Sequence, residues 1–109
     1  MTADPIPLDR IFLDRLVVCP RSAMLRPFPG DDPELKSSPW WVRIASARLP
    51  MELDASHPPI VFRGFTVSGR VMCGNARIVA RHDDGYGTTL ILAGLDPLER
   101  ASPAVAGGR

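Results

Sequence analysis

The sequence predicts a small all-β domain built from about five strands, and three observations carry that expectation. Short runs of alternating apolar and polar residues recur from Trp40 to Leu95. Gly, Asn and Asp clusters separate these runs as turn residues do, and 12 prolines in 109 residues leave little room for long helices.

The elements follow in chain order. Residues 1–9 read as an N-terminal extension, 10–96 as one β domain and 97–109 as a C-terminal tail without a core-forming pattern. Within Leu8 to Cys19, the β-branched end Leu16-Val17-Val18 favours a strand from Ile11 to Val18, with a short helix as the competing pattern. Pro20, Pro27, Pro29, Pro33 and Pro39 then mark residues 20–39 as one long loop. Trp40 to Leu49 alternates and stops at Pro50, giving a strand. Ile60-Val61-Phe62 resumes β structure, and Gly64 reads as a bulge or break.

Two hairpins are expected between residues 65 and 95. Phe65, Val67, Gly69, Val71 and Cys73 alternate with more polar residues, and Gly74-Asn75 suits a two-residue turn, because Gly accepts a positive φ without a Cβ clash. That turn would pair Cys73 with Ala76, Val71 with Ile78, Gly69 with Ala80 and Val67 with His82. The opposite face would then set Met72 against Arg77, Arg70 against Val79 and Ser68 against Arg81. The second turn lies in Asp83 to Gly87, either as a two-residue Asp-Gly turn or as a five-residue loop. Thr88 to Leu95 is apolar on both faces, which marks a central or covered strand.

A net charge of +1 gives no bulk electrostatic argument for nucleic acid or a membrane as partner. Twelve of the 13 basic residues are Arg, the only lysine being Lys36. That bias fits either planar recognition of carboxylate or phosphate, or a GC-rich bacterial coding sequence. Cys19 and Cys73 are too far apart in sequence to form a metal pair, no signal peptide is legible, and no apolar run reaches the length of a membrane span, so a cytoplasmic protein is expected.

No residue pattern reads as a catalytic, metal or nucleotide site. His57 beside Asp54 and Ser56, and His82 beside Asp83 and Asp84, have the composition of solvated turns, so the chain is expected to be non-catalytic and without a cofactor. Trp40-Trp41 carries more information. Adjacent strand residues face opposite sides, so Trp40 joins Val42 and Ile44 in the core, while Trp41 lies either beside Arg43 on the outer face or under the proline-rich loop.

These features fit an OB-like barrel, with an SH3-like barrel or a curved, dimerising sheet as alternatives. An arginine-bearing hairpin with a Gly at its tip resembles the layout of single-strand-binding and primosomal OB proteins, although no motif extends that likeness along the chain. The expected activity is a protein-interaction or assembly module with an Arg-rimmed apolar sheet face, binding a protein partner or itself. The surface would comprise Trp41, Arg43, Arg70, Met72, Arg77, Val79, Arg81, Leu90 and Leu92. The second expectation uses the same Trp and Arg residues to stack and pair with single-stranded DNA or RNA.

Overall fold

A computed structural model describes residues 4–101. The chain forms β1 (Ile6–Leu13), β2 (Leu16–Val18), β3 (Ser22–Arg26), β4 (Trp41–Ser46), β5 (Ile60–Thr66), β6 (Val71–Asp84), β7 (Gly87–Gly94) and β8 (Glu99–Ala101). All pairings are antiparallel. The order β1-β3-β4-β7-β6-β5 returns to β1 through the β1–β5 ladder, so six strands close a barrel and β2 and β8 add to its rim. The all-β barrel is as expected from the alternation, but it has six barrel strands rather than five. Closure gives both edges of the barrel a partner, which is how an apolar strand such as β7 avoids an open edge.

The missed strands lie where prolines bracket short alternations. Ser22-Ala23-Met24-Leu25-Arg26 buries Ala23 and Leu25 and pairs with β4 along its whole length, so residues 20–39 are not one loop. Ile11 to Val18 is likewise not one strand. Asp14, at φ 55, turns the chain between β1 and β2, and Asp tolerates that left-handed conformation better than most residues. Its amide donates to the Val61 carbonyl at 2.9 Å and its carboxylate accepts from the Val61 amide at 2.8 Å, which ties the turn to β5. Since β1 starts at Ile6, residues 6–9 belong to the barrel rather than to an extension. Of the expected tail, residues 99–101 form β8, and the part beyond 101 lies outside the described residues.

The first long hairpin turns earlier than its sequence suggests. β5 and β6 pair Phe65 with Val71 and Phe62 with Gly74, so Val67 to Arg70 forms the loop and Gly74-Asn75 lies inside a strand of 14 residues. Gly69, at φ 89, takes the left-handed position, and its amide closes the turn on the Thr66 carbonyl at 2.9 Å. Gly74 serves packing instead. A Cβ there would stand 3.0 Å from the Trp40 ring, and at Gly94 only 2.2 Å from it. Both glycines make room for the largest core side chain, which stacks at 5.3 Å on Phe62 and donates its indole N–H to the Asp96 carbonyl at 2.6 Å. Gly64 is no break either: it stays paired to Ile11 and Met72, where a Cβ would reach 2.9 Å from Leu8.

The second hairpin closes on a two-residue Gly85-Tyr86 loop, since Asp84 pairs with Gly87. Asp84 caps it by accepting from the amides of Tyr86 and Gly87 at 2.7 and 3.1 Å. β7 is the central strand its doubly apolar sequence implies, paired on one side to β4 and on the other to β6. Val42, Ile44, Ile60, Phe62, Ile78, Leu90 and Leu92 fill the barrel and are essentially inaccessible.

Candidate functional site

Register and burial together give the outer surface of β3, β4, β7 and the C-terminal half of β6. Three cross-strand rows run over it. Arg26, Trp41, Ala93 and Arg77 form one row, Met24, Arg43, Ile91 and Ala80 the next, and Ser22, Ala45, Thr89 and His82 the third. Arg43, Arg77 and Ala80 are exposed, while Met24, Trp41 and Ile91 are half-buried. Four strands at about 4.8 Å spacing make this face roughly 15 Å across. No carboxylate occupies any of the positions named in these rows, and none lies within ion-pair distance of Arg26, Arg43 or Arg77 among the described residues. The face therefore mixes apolar and cationic positions: Arg26 and Arg77 end one row, and Arg43 stands between Met24 and Ile91 in the next.

Of the residues expected there, Trp41, Arg43 and Arg77 are brought together, with Val79 half-buried at the margin. Leu90 and Leu92 are corrected to the core: both are fully buried, because their β7 neighbours Thr89 and Ile91 take the outward positions. Met72 is also buried, facing inward opposite Gly64. Arg70 is exposed in the β5–β6 loop, where with Val67 and Arg100 it lines a separate open cleft of about 410 Å³. Met24, Arg26 and Ile91 join the face without having been expected. The alternation in Ser22 to Arg26 held that signal, masked by the prolines around it.

Arg81 departs from the expected row most fully. The β6–β7 ladder slips between Ile78 and Ala80, so Val79 is an extra residue and the strand changes face. Arg77 pairs outward with Ala93, whereas Arg81 pairs with the core residue Leu90. Its guanidinium donates to the carbonyls of Leu49 and Leu53, each at 2.9 Å, and to that of Pro50, and it forms an ion pair with Asp83 at 2.8 Å. The Asp83 carboxylate also accepts from the Thr88 hydroxyl at 2.7 Å, and that hydroxyl accepts from the Leu49 amide at 3.0 Å. The Arg81 hydrogen bond first, then that of Thr88, hold the Asp83 carboxyl down at about 2. This clasp fastens the 47–59 loop across one end of the barrel and leaves Arg81 unable to meet a partner.

No family model matches the chain, and no curated protein or solved structure matches it. The site must therefore be read from its own chemistry. Trp41 supplies the most specific part. Arg26 lies over its ring, with the guanidinium carbon 4.6 Å from the centroid, a contact worth about 0.5–1 kcal/mol at a partly exposed site. Both the Trp41 indole Nε1 and one Arg26 guanidinium nitrogen, Nη1, are buried without a hydrogen-bond partner among the described residues. A Cβ on Gly30 would stand 3.2 Å from that indole nitrogen, so the segment between β3 and β4 covers it. Trp41 is thus both beside Arg43 in register and beneath the proline-rich segment. Elsewhere, His57 Nδ1 lies 2.7 Å from the Pro58 carbonyl and Asp54 caps the Ser56 amide at 2.9 Å, which is turn geometry.

Proposed function

We propose that the protein is a non-catalytic interaction or assembly module whose β3-β4-β7-β6 face docks a protein partner, on an OB-like scaffold. One observation carries the reading: Met24, Trp41 and Ile91 are interleaved with Arg26, Arg43 and Arg77 on one sheet face, with no carboxylate among these outward positions. Aromatic and Arg side chains dominate binding hot spots, and a face of interleaved apolar and cationic side chains suits an acidic, partly apolar protein surface. Two copies meeting through this face alone would set Arg against Arg, which favours a different partner over symmetric self-pairing.

Single-stranded DNA or RNA is the second reading, favoured by the same arginines and indole. It is the weaker one because Arg26 already occupies one face of the Trp41 ring where a base would stack. A photo-crosslinking residue introduced at Ile91 separates the two in cells. Protein adducts that disappear with Arg43→Glu support the proposal. Nucleic-acid adducts support the second reading, and no adduct at all rejects both.

A further inference from the structure

The segment that covers Trp41 resembles the partner this face calls for. Residues 27–40 run from the end of β3 to the start of β4, and their midpoint reads Asp31-Asp32-Pro33-Glu34-Leu35. The three carboxylates are exposed and form no ion pair among the described residues, whereas Leu35 is only 5% exposed. Leu35 packs on Gly30 beside the Trp41 indole nitrogen, since a Cβ on Gly30 would meet Leu35 at 2.8 Å and that nitrogen at 3.2 Å. An acidic stretch with one aliphatic anchor therefore already lies against a cationic, apolar face.

The fastening of this strap is internal. Gly30 donates to the Leu35 carbonyl at 3.1 Å, Leu35 to Asp32 at 2.8 Å and Ser38 to Leu35 at 3.2 Å. No hydrogen bond joins residues 27–39 to a barrel strand among the described residues. Beneath the strap the indole Nε1 is buried and unpaired, and so is Nη1 of Arg26, whose guanidinium lies over the same ring, among the described residues. A buried donor without an acceptor costs free energy, so a state that supplies one is favoured.

We infer that the strap is a displaceable internal ligand, and that the partner is an extended acidic segment with an aliphatic anchor that takes its place. On this reading, which rests on the docking face proposed above, the incoming anchor replaces Leu35. A carboxylate on a segment free of the tether at both ends can then accept from Trp41 Nε1 or Arg26 Nη1, which the carboxylates of the tethered strap leave unpaired among the described residues. Because the strap is tethered, its effective concentration is in the millimolar range, so it screens out weak ligands.

The probe is a labelled synthetic peptide of residues 28–35, compared with the same peptide carrying Asp31→Asn, Asp32→Asn and Glu34→Gln. The Leu35→Asp chain should bind the acidic peptide at least about ten-fold more tightly than the unaltered chain, a ratio equivalent to about 1.4 kcal/mol. Adding Arg26→Gln should remove that gain, and the neutral peptide should bind weakly to all three chains. Equal affinity of the Leu35→Asp and unaltered chains, equal binding of the neutral peptide, or no binding to any chain overturns the inference.

A second measurement needs no substitution. Lys36 is the only lysine, so a lysine-specific protease reports on the strap of the unaltered chain. Millimolar acidic peptide should speed cleavage at Lys36 several-fold. Peptide binding with unchanged cleavage refutes displacement while leaving the docking face intact, and the absence of any Ile91 adduct in the otherwise unaltered chain refutes the face itself.

Discussion

Arg77 and Arg81 lie on the same strand with the same sequence parity, yet they do opposite things. Arg77 is exposed on the sheet face at the end of Trp41's row, free of ion pairs among the described residues. Arg81 turns into the end of the barrel and binds three loop carbonyls and Asp83. The single extra residue at Val79 separates these fates. An arginine row counted along one strand is thus no guide to a surface unless the bulge is known, and here the bulge divides an exposed arginine from one that fastens a loop.

The sharpest way to break this division is through the residues of β7 that back each side. Leu92→Ala should cost about 2–5 kcal/mol in denaturant unfolding, as for any large core side chain, whereas Ile91→Ala should cost well under half of that. Equal losses would mean that inner and outer faces have been misassigned.

The next effect is on the arginines themselves. Arg81→Ala strands the part-buried carbonyls of Leu49 and Leu53, and a fully buried polar group left unpaired costs about 1–3 kcal/mol, an upper bound for each. Calorimetry should show Tm falling by roughly 5–15 °C, at roughly 4–8 °C per kcal/mol for a domain of this size. Arg77→Ala should leave Tm within about 2 °C, since exposed substitutions usually stay within about 0.5 kcal/mol.

Acid titration sharpens the clasp further. The folded Asp83 carboxyl is held at about 2, below its unfolded value of about 3.9. Its stabilising contribution is therefore complete above about pH 4 and is lost as pH falls through about 2. Asp83→Asn should be less stable than the unaltered chain at pH 6 and lose less between pH 5 and 2. Parallel melting curves across that range would show that the ion pair contributes nothing.

How far the sequence spoke for itself differed along the chain, for physical reasons. Alternation revealed β4 and the split between Trp40 and Trp41, and the doubly apolar run from Thr88 to Leu95 revealed β7 as a central strand. Three positions misled. Gly74 has the residue type of a hairpin turn but is a glycine of close approach, and only the position of Trp40 distinguishes the two uses. Gly69, the true turn glycine, fell on an apolar parity and so looked like a strand residue. The bulge at Val79 left no trace in an all-apolar run. Of the candidate face, Trp41, Arg43 and Arg77 were legible. Met24 and Arg26 were hidden by flanking prolines, and Leu90 and Leu92 were placed outside because a strand apolar on both sides does not say which side is core.

The most direct test of the docking face is the affinity of the Leu35→Asp chain for the acidic 28–35 peptide, with and without Arg43→Glu, beside the melting temperature of each chain. A cationic face that receives an acidic partner predicts at least about ten-fold weaker binding with Arg43→Glu, equivalent to about 1.4 kcal/mol, and an unchanged melting temperature. Equal peptide affinity in the two chains would contradict it.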